Sequence, residues 1–395
     1  MKYINSDGDF MINAIEEYIK NGETSENRIG IELEHFVVDG KTGENIPYSG
    51  DKGVESLLLK IADGFDRKIY SEGFLIGLSN SEYSLTLEPA AQLEISIRPV
   101  EKISEAKRIY EDFLNTIRPA LDGFGYELVT EGYRHNCRAE ELELIPKNRY
   151  RFMDRYFEHS GTCGKNMMRA TASTQISIDY ANEADCALKF RVANILSPIF
   201  ALVCDNSHVF ENEPYKGRML RTHIWNNVDG ERCGIVPCAA ELTYKKYAEY
   251  ILNRSAILIM KDKAPVYTGS EKIKDIYKSE MTQDEAEHLL SMFFPDVRLK
   301  KYIEIRPADS MPINDALSYA ALVKGIFKNP SVFDFDGVTV KDIENAKTAL
   351  VQKGFGAEIY GRRAYDIYED MLNEARRNLS AEDAEYLIKR GESNV

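Results

Sequence analysis

Residues 28–38 read RIGIELEHFVV, in which apolar Ile29, Ile31 and Leu33 alternate with Gly30, Glu32 and Glu34. A period of two predicts a strand with only one face against a core. The pattern recurs in residues 84–98 (SLTLEPAAQLEISIR), 172–180 (ASTQISIDY) and 301–306 (KYIEIR). Between these stretches, residues 10–20, 53–63, 104–121, 241–254, 312–327 and 340–353 carry apolar residues at three- and four-residue spacing, the helical period. Asn182, Thr282 with Glu285, and Ser380 read as helix N-caps. Strands with one wet face, dispersed among helices, predict an α+β fold with a mainly antiparallel sheet.

Parity then assigns the faces. Glu32 and Glu34 oppose Ile31 and Leu33, and Gln92, Glu94, Ser96 and Arg98 oppose Leu93, Ile95 and Ile97. Gln175 opposes Ile176, while Glu304 and Arg306 oppose Ile303 and Ile305. Carboxylates two residues apart on one strand repel unless a cation lies near them. Clustered Glu oxygens and amide carbonyls are the hard ligands of Mg²⁺ or Mn²⁺, with nucleotide phosphates completing the shell. His35 falls on the apolar side and reads as a core histidine. With no GxxxxGK[ST] loop and no GxGxxG between strand and helix, metal ions must hold any phosphates.

A second group is basic and aromatic: Lys147, Arg149, Tyr150, Met153, Met167, Met168, Arg169, Arg218, Arg221, His223, Trp225 and Arg232. Guanidinium groups suit carboxylate and phosphate, and Trp225, the only tryptophan, reads as a pocket wall. No GxSxG or HExxH motif is present, and Cys163 reads as an inert thiol.

The 395 residues carry 64 acidic and 50 basic side chains, net −14, which disfavours nucleic acid and anionic membranes as partners. The N-terminus lacks a signal-peptide pattern, no stretch reads as membrane-spanning, and the six cysteines include no CxxC pair. The expectation is a cytoplasmic protein with reduced thiols. Absence of a linker or repeat predicts a single catalytic domain over residues 1–395, with about 335–395 a helical C-terminal extension. The lysine-rich stretch 258–280 reads as a loop, either covering a site or simply solvated.

The segments IGIELEHF, LTLEPAAQLEIS, PKNRYRFMDRYF, MMRATASTQISIDY, MLRTHIWNNVDGERCG and FPDVRLKKYIEIRPAD, in this order, resemble the plant-type branch of the glutamate–cysteine ligase family. The resemblance implies a glutamine-synthetase-like catalytic fold, a sheet curved into a funnel and backed by helices. It implies an enzyme that uses ATP and Mg²⁺ to phosphorylate the γ-carboxylate of glutamate, after which cysteine attacks to give γ-glutamylcysteine. By the same resemblance Glu32, Glu34, Glu88, Glu94, Gln175 and Glu304 are metal-site residues and Arg306 the catalytic, phosphate-stabilising residue. Arg221 would hold the α-carboxylate of glutamate, with Trp225 and Arg169 also substrate-binding. Two departures stand out: Ala90-Ala91 replaces the usual glycine pair, a backbone expected to avoid positive φ, and His208 replaces a proline near the expected pocket. Two alternatives stay open: a ligase with a different amine or carboxylate, and a non-catalytic metal–nucleotide binding protein. Oligomeric state is not legible.

Overall fold

The computed structural model describes residues 9–262, 264–278 and 280–389. Readings that touched residues 1–8, 263, 279 and 390–395, including the N-terminal stretch and the end of the helix begun by Ser380, lie partly outside them. Among the described residues nine strands form one sheet. They are β1 (Ile29–Asp39), β2 (Arg67–Ser71), β3 (Phe74–Ser79), β4 (Tyr83–Leu87), β5 (Leu93–Val100), β6 (Tyr126–Val129), β7 (Thr174–Ile178), β8 (Val297–Leu299) and β9 (Ile303–Ile305). Their order is β8-β9-β7-β1-β5-β4-β3-β2, with β6 on the second half of β1, and every pairing is antiparallel. The α+β expectation holds.

Register carries the parity across the sheet. Ile31 lies between Ile97 and Ile176, and Leu33 lies opposite Ile95 on β5 and Thr174 on β7. This apolar face is covered by α1 (Val54–Ile61), α2 (Ile103–Phe124), α5 (Glu183–Val203) and α7 (Ile313–Ile326), and their buried side chains belong to one continuous core. The opposite face is roofed by α3 (Asn148–Phe157), α4 (Gly164–Ala170) and α6 (Leu220–Asn226), and here the cavity lies.

The expected caps are present: Asn182 accepts from the Asp185 amide at 3.0 Å, Ser380 from Asp383 at 3.1 Å, and Thr282 with Glu285 closes a capping box. His35 sits in the core as expected. Its Nδ1 meets the Leu93 carbonyl at 3.2 Å and its Nε2 the Tyr110 hydroxyl at 2.8 Å, a neutral-ring arrangement, and burial pushes its pKa down to about 4.

Four expectations are corrected. Residues 84–98 are two strands joined by a turn, in which the Ala91 amide donates to the Glu88 carbonyl at 3.0 Å and the Glu88 amide to the Gln92 carbonyl at 2.9 Å. Such a three-residue hairpin loop ends in a left-handed residue, and Ala91 takes φ +65° rather than avoiding it. The loop read over 258–280 is mostly a hairpin, Ser255–Lys261 with Ala264–Lys272, followed by a short helix, Ile273–Ile276. Helix α5, at 21 residues, is long and apolar enough by length and composition to cross a membrane, contrary to the sequence reading, but it lies buried within the protein. Finally, His208 is exposed and does not line the cavity.

Candidate active site

Glu32 and Glu34 project from the polar face of β1, Glu94 from β5, and Glu88 from the turn between β4 and β5. Glu34 faces Glu94 directly across the strand pair, and Glu32 lies between Ser96 and Gln175. All four line one cavity of about 250 Å³, together with Gln175, Arg221, Trp225 and Arg306. Eight of the ten residues given a metal, catalytic or substrate role in the sequence thus meet at one place.

The carboxylates form its acidic half. Burial, then Glu94 and Glu304, pushes the Glu32 pKa up to about 8; burial, Glu88 and Glu34 push Glu94 to about 8; burial and Glu34 push Glu88 to about 7. Glu34 is raised by burial, while Arg221 and Ser173 oppose the shift. Its carboxylate accepts from the Ser173 amide and hydroxyl, both at 2.8 Å, and from the Gln175 amide at 3.1 Å.

Arginines make the other half. Arg306 donates to Glu304 at 3.0 Å and to the Gln175 carbonyl, and Arg221 donates to the Arg306 backbone carbonyl at 3.0 Å. The Trp225 ring centre is 5.5 Å from the guanidinium of Arg221 and 5.9 Å from that of Arg306. The Nε atom of Arg221 and the Nε1 atom of Trp225 are buried without a hydrogen-bond acceptor. Buried orphan donors are costly, and both residues line the cavity with other parts of their side chains.

Two expected residues do not join the cavity. Arg169 is turned away and bound by Asp154, with both carboxylate oxygens at 2.9 Å, and by the Leu142 carbonyl at 2.9 Å. Glu304 is buried with both oxygens committed, to Arg298 at 2.7 and 2.9 Å and to Arg306 at 3.0 Å. Burial raises its pKa, but Arg298, Lys300 and Arg306 outweigh that and hold it well below the usual range. In this arrangement Glu304 acts as counter-ion to three cations rather than as a free ligand. Arg98, also on an expected polar face, pairs with Glu82 at 3.0 Å instead.

Sequence reasoning had not placed Arg298 or Lys300 in the site, although both line the cavity together with Gln92, which it had put on the polar face. The signal for the first two was available, since the alternation in VRLKKYIEIR continues backwards from Glu304, and Arg298 is the register partner of Glu304. Gln92 ties the Glu88 turn to α4: its carbonyl accepts from the Ala90 amide at 2.8 Å, and its amide donates to the Thr171 carbonyl at 3.1 Å.

Among the described residues no three carboxylate, imidazole or thiolate groups already converge as a metal cluster. The donor set nevertheless fits a hard divalent cation, because Glu32, Glu88 and Glu94 share one cavity and raise one another's pKa or that of a neighbour.

The family model described as glutamate-cysteine ligase family 2 matches residues 28–347, about four-fifths of the sequence. The chain belongs to this family. Among curated relatives, the chloroplastic glutamate–cysteine ligase of Nicotiana tabacum is 28% identical over 322 residues, covering 78% of this chain and 61% of the tobacco protein. That of Arabidopsis thaliana is 30% identical over 306 residues, covering 72% of this chain and 56% of its own length. The chain therefore spans about three-fifths of the length of these family members. A crystal structure of glutamate–cysteine ligase from Francisella tularensis in complex with AMP superposes with a TM-score of 0.54 at 13% identity, covering 92% of this chain and 81% of that one. The likeness shows the shared fold, an antiparallel sheet backed by helices. The cytoplasmic expectation is overturned, because the matched plant family members are chloroplastic proteins.

Proposed function

We propose that the chain is an ATP- and Mg²⁺-dependent ligase joining the γ-carboxylate of L-glutamate to the amine of L-cysteine through a γ-glutamyl phosphate, and that it works as one catalytic unit. The observation that carries this reading is one cavity lined both by carboxylates, Glu32, Glu34, Glu88 and Glu94, and by cations, among them Arg221, Arg298, Lys300 and Arg306. The names of the plant relatives support it.

Transfer of a phosphoryl group onto a carboxylate brings two anions together, so the site must neutralise charge before the bond can form. Glu32, Glu34, Glu88 and Glu94 would hold Mg²⁺ or Mn²⁺, which would supply that neutralisation on the nucleotide side. Arg306, held in place by Glu304 and Gln175, would present the rest of its guanidinium to the oxygens of the transferring group. Arg221 and Trp225, which line the cavity beside Arg306, would receive the α-carboxylate of glutamate. In the first step a γ-carboxylate oxygen bonds to the terminal phosphorus and the bond to ADP breaks. In the second the acceptor nitrogen bonds to the acyl carbon, phosphate leaves, and the amine loses a proton.

The test is phosphate release with ATP, Mg²⁺ and glutamate against a panel of amines. Cysteine should give the highest kcat/KM. Turnover with another amine but none with cysteine would move the protein to a related ligase, and nucleotide binding without turnover would make it a binding protein. Arg306→Ala should keep nucleotide binding and lower turnover at least 100-fold, roughly the loss seen when one preorganised charge-stabilising donor is removed.

A further inference from the structure

Helix α8 (Val340–Lys353), from the C-terminal part of the chain, packs against α5 and buries Ile343, Ala346, Lys347 and Leu350. That spacing is one face of a helix, and such a face is ordinarily apolar throughout. Lys347 is the exception, only 4% exposed, and a lysine is enclosed in this way almost only where it is paired. Its ammonium donates to the Asp296 carboxylate at 2.8 Å and to the Asn226 side-chain oxygen at 3.1 Å. Both partners adjoin the active site. Asn226 ends α6 next to Trp225, and the Asp296 carbonyl, just ahead of β8, accepts from the Arg306 amide at 2.9 Å.

Asp296 lines a second, smaller cavity of about 20 Å³ together with Arg221, Trp225 and Arg306. Arg221 is anchored by one main-chain oxygen, the Arg306 carbonyl at 3.0 Å, and among the described residues no carboxylate lies at ion-pair distance from it. Three carboxylates nevertheless act on it: burial, with Arg306, pushes its pKa down, and Asp309, Glu34 and Asp296 oppose that shift. Each of the three is held by other groups. Asp309 accepts from the Asn206 amide and the Ser207 hydroxyl, Glu34 from Ser173 and Gln175, and Asp296 from Lys347. Among these holders Lys347 is the one cation. A carboxylate left unpaired in a low-dielectric interior draws a neighbouring cation strongly, so without Lys347 the Asp296 carboxylate would compete with a substrate for the Arg221 fork.

We infer that Lys347 is a positioning residue for the donor site: by occupying Asp296 it leaves the Arg221 guanidinium to the α-carboxylate of glutamate. This rests on the ligase reading above and extends it, because it ties the C-terminal helix to the affinity for one substrate. Lys347 does not line the active-site cavity and acts only through Asp296.

Steady-state kinetics and thermal unfolding of the wild type, Lys347→Arg, and Lys347→Met and Lys347→Gln, each neutral variant alone and combined with Asp296→Asn, test the assignment. In the neutral single variants the KM for glutamate should rise roughly 10- to 100-fold, the loss of one charge-assisted contact. KM values for ATP and for the acceptor amine should change less than about threefold. Lys347→Arg, which keeps the charge, should stay within about threefold of wild type for every substrate. Adding Asp296→Asn removes the released carboxylate and should bring the glutamate KM most of the way back, even in a protein that unfolds at a lower temperature than wild type. Lys347→Gln, which keeps hydrogen-bond donors in place, supplies the measurement if the methionine variant unfolds. A neutral variant that melts earlier but keeps the wild-type KM for glutamate, or a double variant as impaired as the single, makes the lysine merely structural and overturns the assignment while leaving the ligase reading intact. A wild type that turns over no amine at all overturns both.

Discussion

Glu94 and Asp383 are both acids enclosed by the protein, but their company differs. Asp383 accepts from the Ile103 amide at the start of α2 at 2.9 Å and from the Lys324 ammonium at 2.5 Å, while its neighbour Glu382 accepts from Ser104 at 2.6 Å. This clasp fastens the C-terminal segment onto two core helices. Glu94 receives only the hydroxyls of Thr86 at 2.9 Å and Ser96 at 3.2 Å, and faces Glu34 across the strands. One carboxylate has its charge matched within the chain. The other is surrounded by like charge, which costs stability and leaves the cavity in want of a cation. Buried charge thus serves two ends here, and the partner tells them apart.

Exchanging one oxygen in each region should separate these ends. Glu94→Gln should lower turnover at least about 100-fold, as loss of a charge that organises the transition state does, while raising the melting temperature of the metal-free protein. Asp383→Ala should do the reverse. It strands the Lys324 ammonium, and breaking a buried pair costs about 3–5 kcal/mol, yet kcat of the folded fraction should stay within about twofold, because no residue of the clasp lines the cavity. Thermal unfolding and turnover measured on both variants decide the point. A Glu94→Gln protein that is less stable than wild type without metal would end the contrast.

The same contrast has a pH signature. Glu32 and Glu94 have pKa values near 8 and Glu88 near 7 in the folded protein, all above the ordinary 4.5. Across that window the folded state binds more protons than the unfolded one, so these groups make stability fall as pH rises from about 4.5 to about 8. Without divalent cations, the melting temperature should drop between pH 5 and pH 8. Added Mg²⁺ should stabilise more at pH 8 than at pH 5, since its ligands must be deprotonated to bind. A Mg²⁺ stabilisation equal at both pH values would contradict the carboxylate site.

The polar strand faces were legible in the sequence because a period of two is a local property, and Glu32, Glu34, Glu94 and Arg306 follow from it directly. What a side chain meets is not local. Arg169 was read as a substrate ligand from its place in MMRAT, but Asp154, 15 residues away on the adjacent helix α3, binds one terminal nitrogen with both oxygens and the Leu142 carbonyl takes the other. Glu304 was read as a free ligand because its neutralising partner Arg298 becomes its neighbour only once β8 and β9 pair. The turn within residues 84–98 escaped notice for a different reason. Pro89-Ala90-Ala91 carries no glycine or asparagine, the residues that ordinarily mark a left-handed position.

That turn supplies the smallest effect expected and a test of how the two regions are joined. Ala91 holds φ +65° with its methyl buried, so Ala91→Gly removes backbone strain of about 1–2 kcal/mol. Against this stand the greater freedom of glycine in the unfolded chain, about 0.4–1 kcal/mol, and the lost burial of one methyl, about 0.8 kcal/mol. The terms nearly cancel, and the variant should unfold within about 1 kcal/mol of wild type, with unchanged kinetics, because Gln92 continues to fix the Glu88 turn to α4. Ala91→Val faces the same strain with a β-branched side chain, which tolerates positive φ poorly, and should be clearly destabilised. Since the turn places Glu88 in the cavity, the valine variant should also weaken Mg²⁺ binding, an effect that no change in the C-terminal clasp should reproduce.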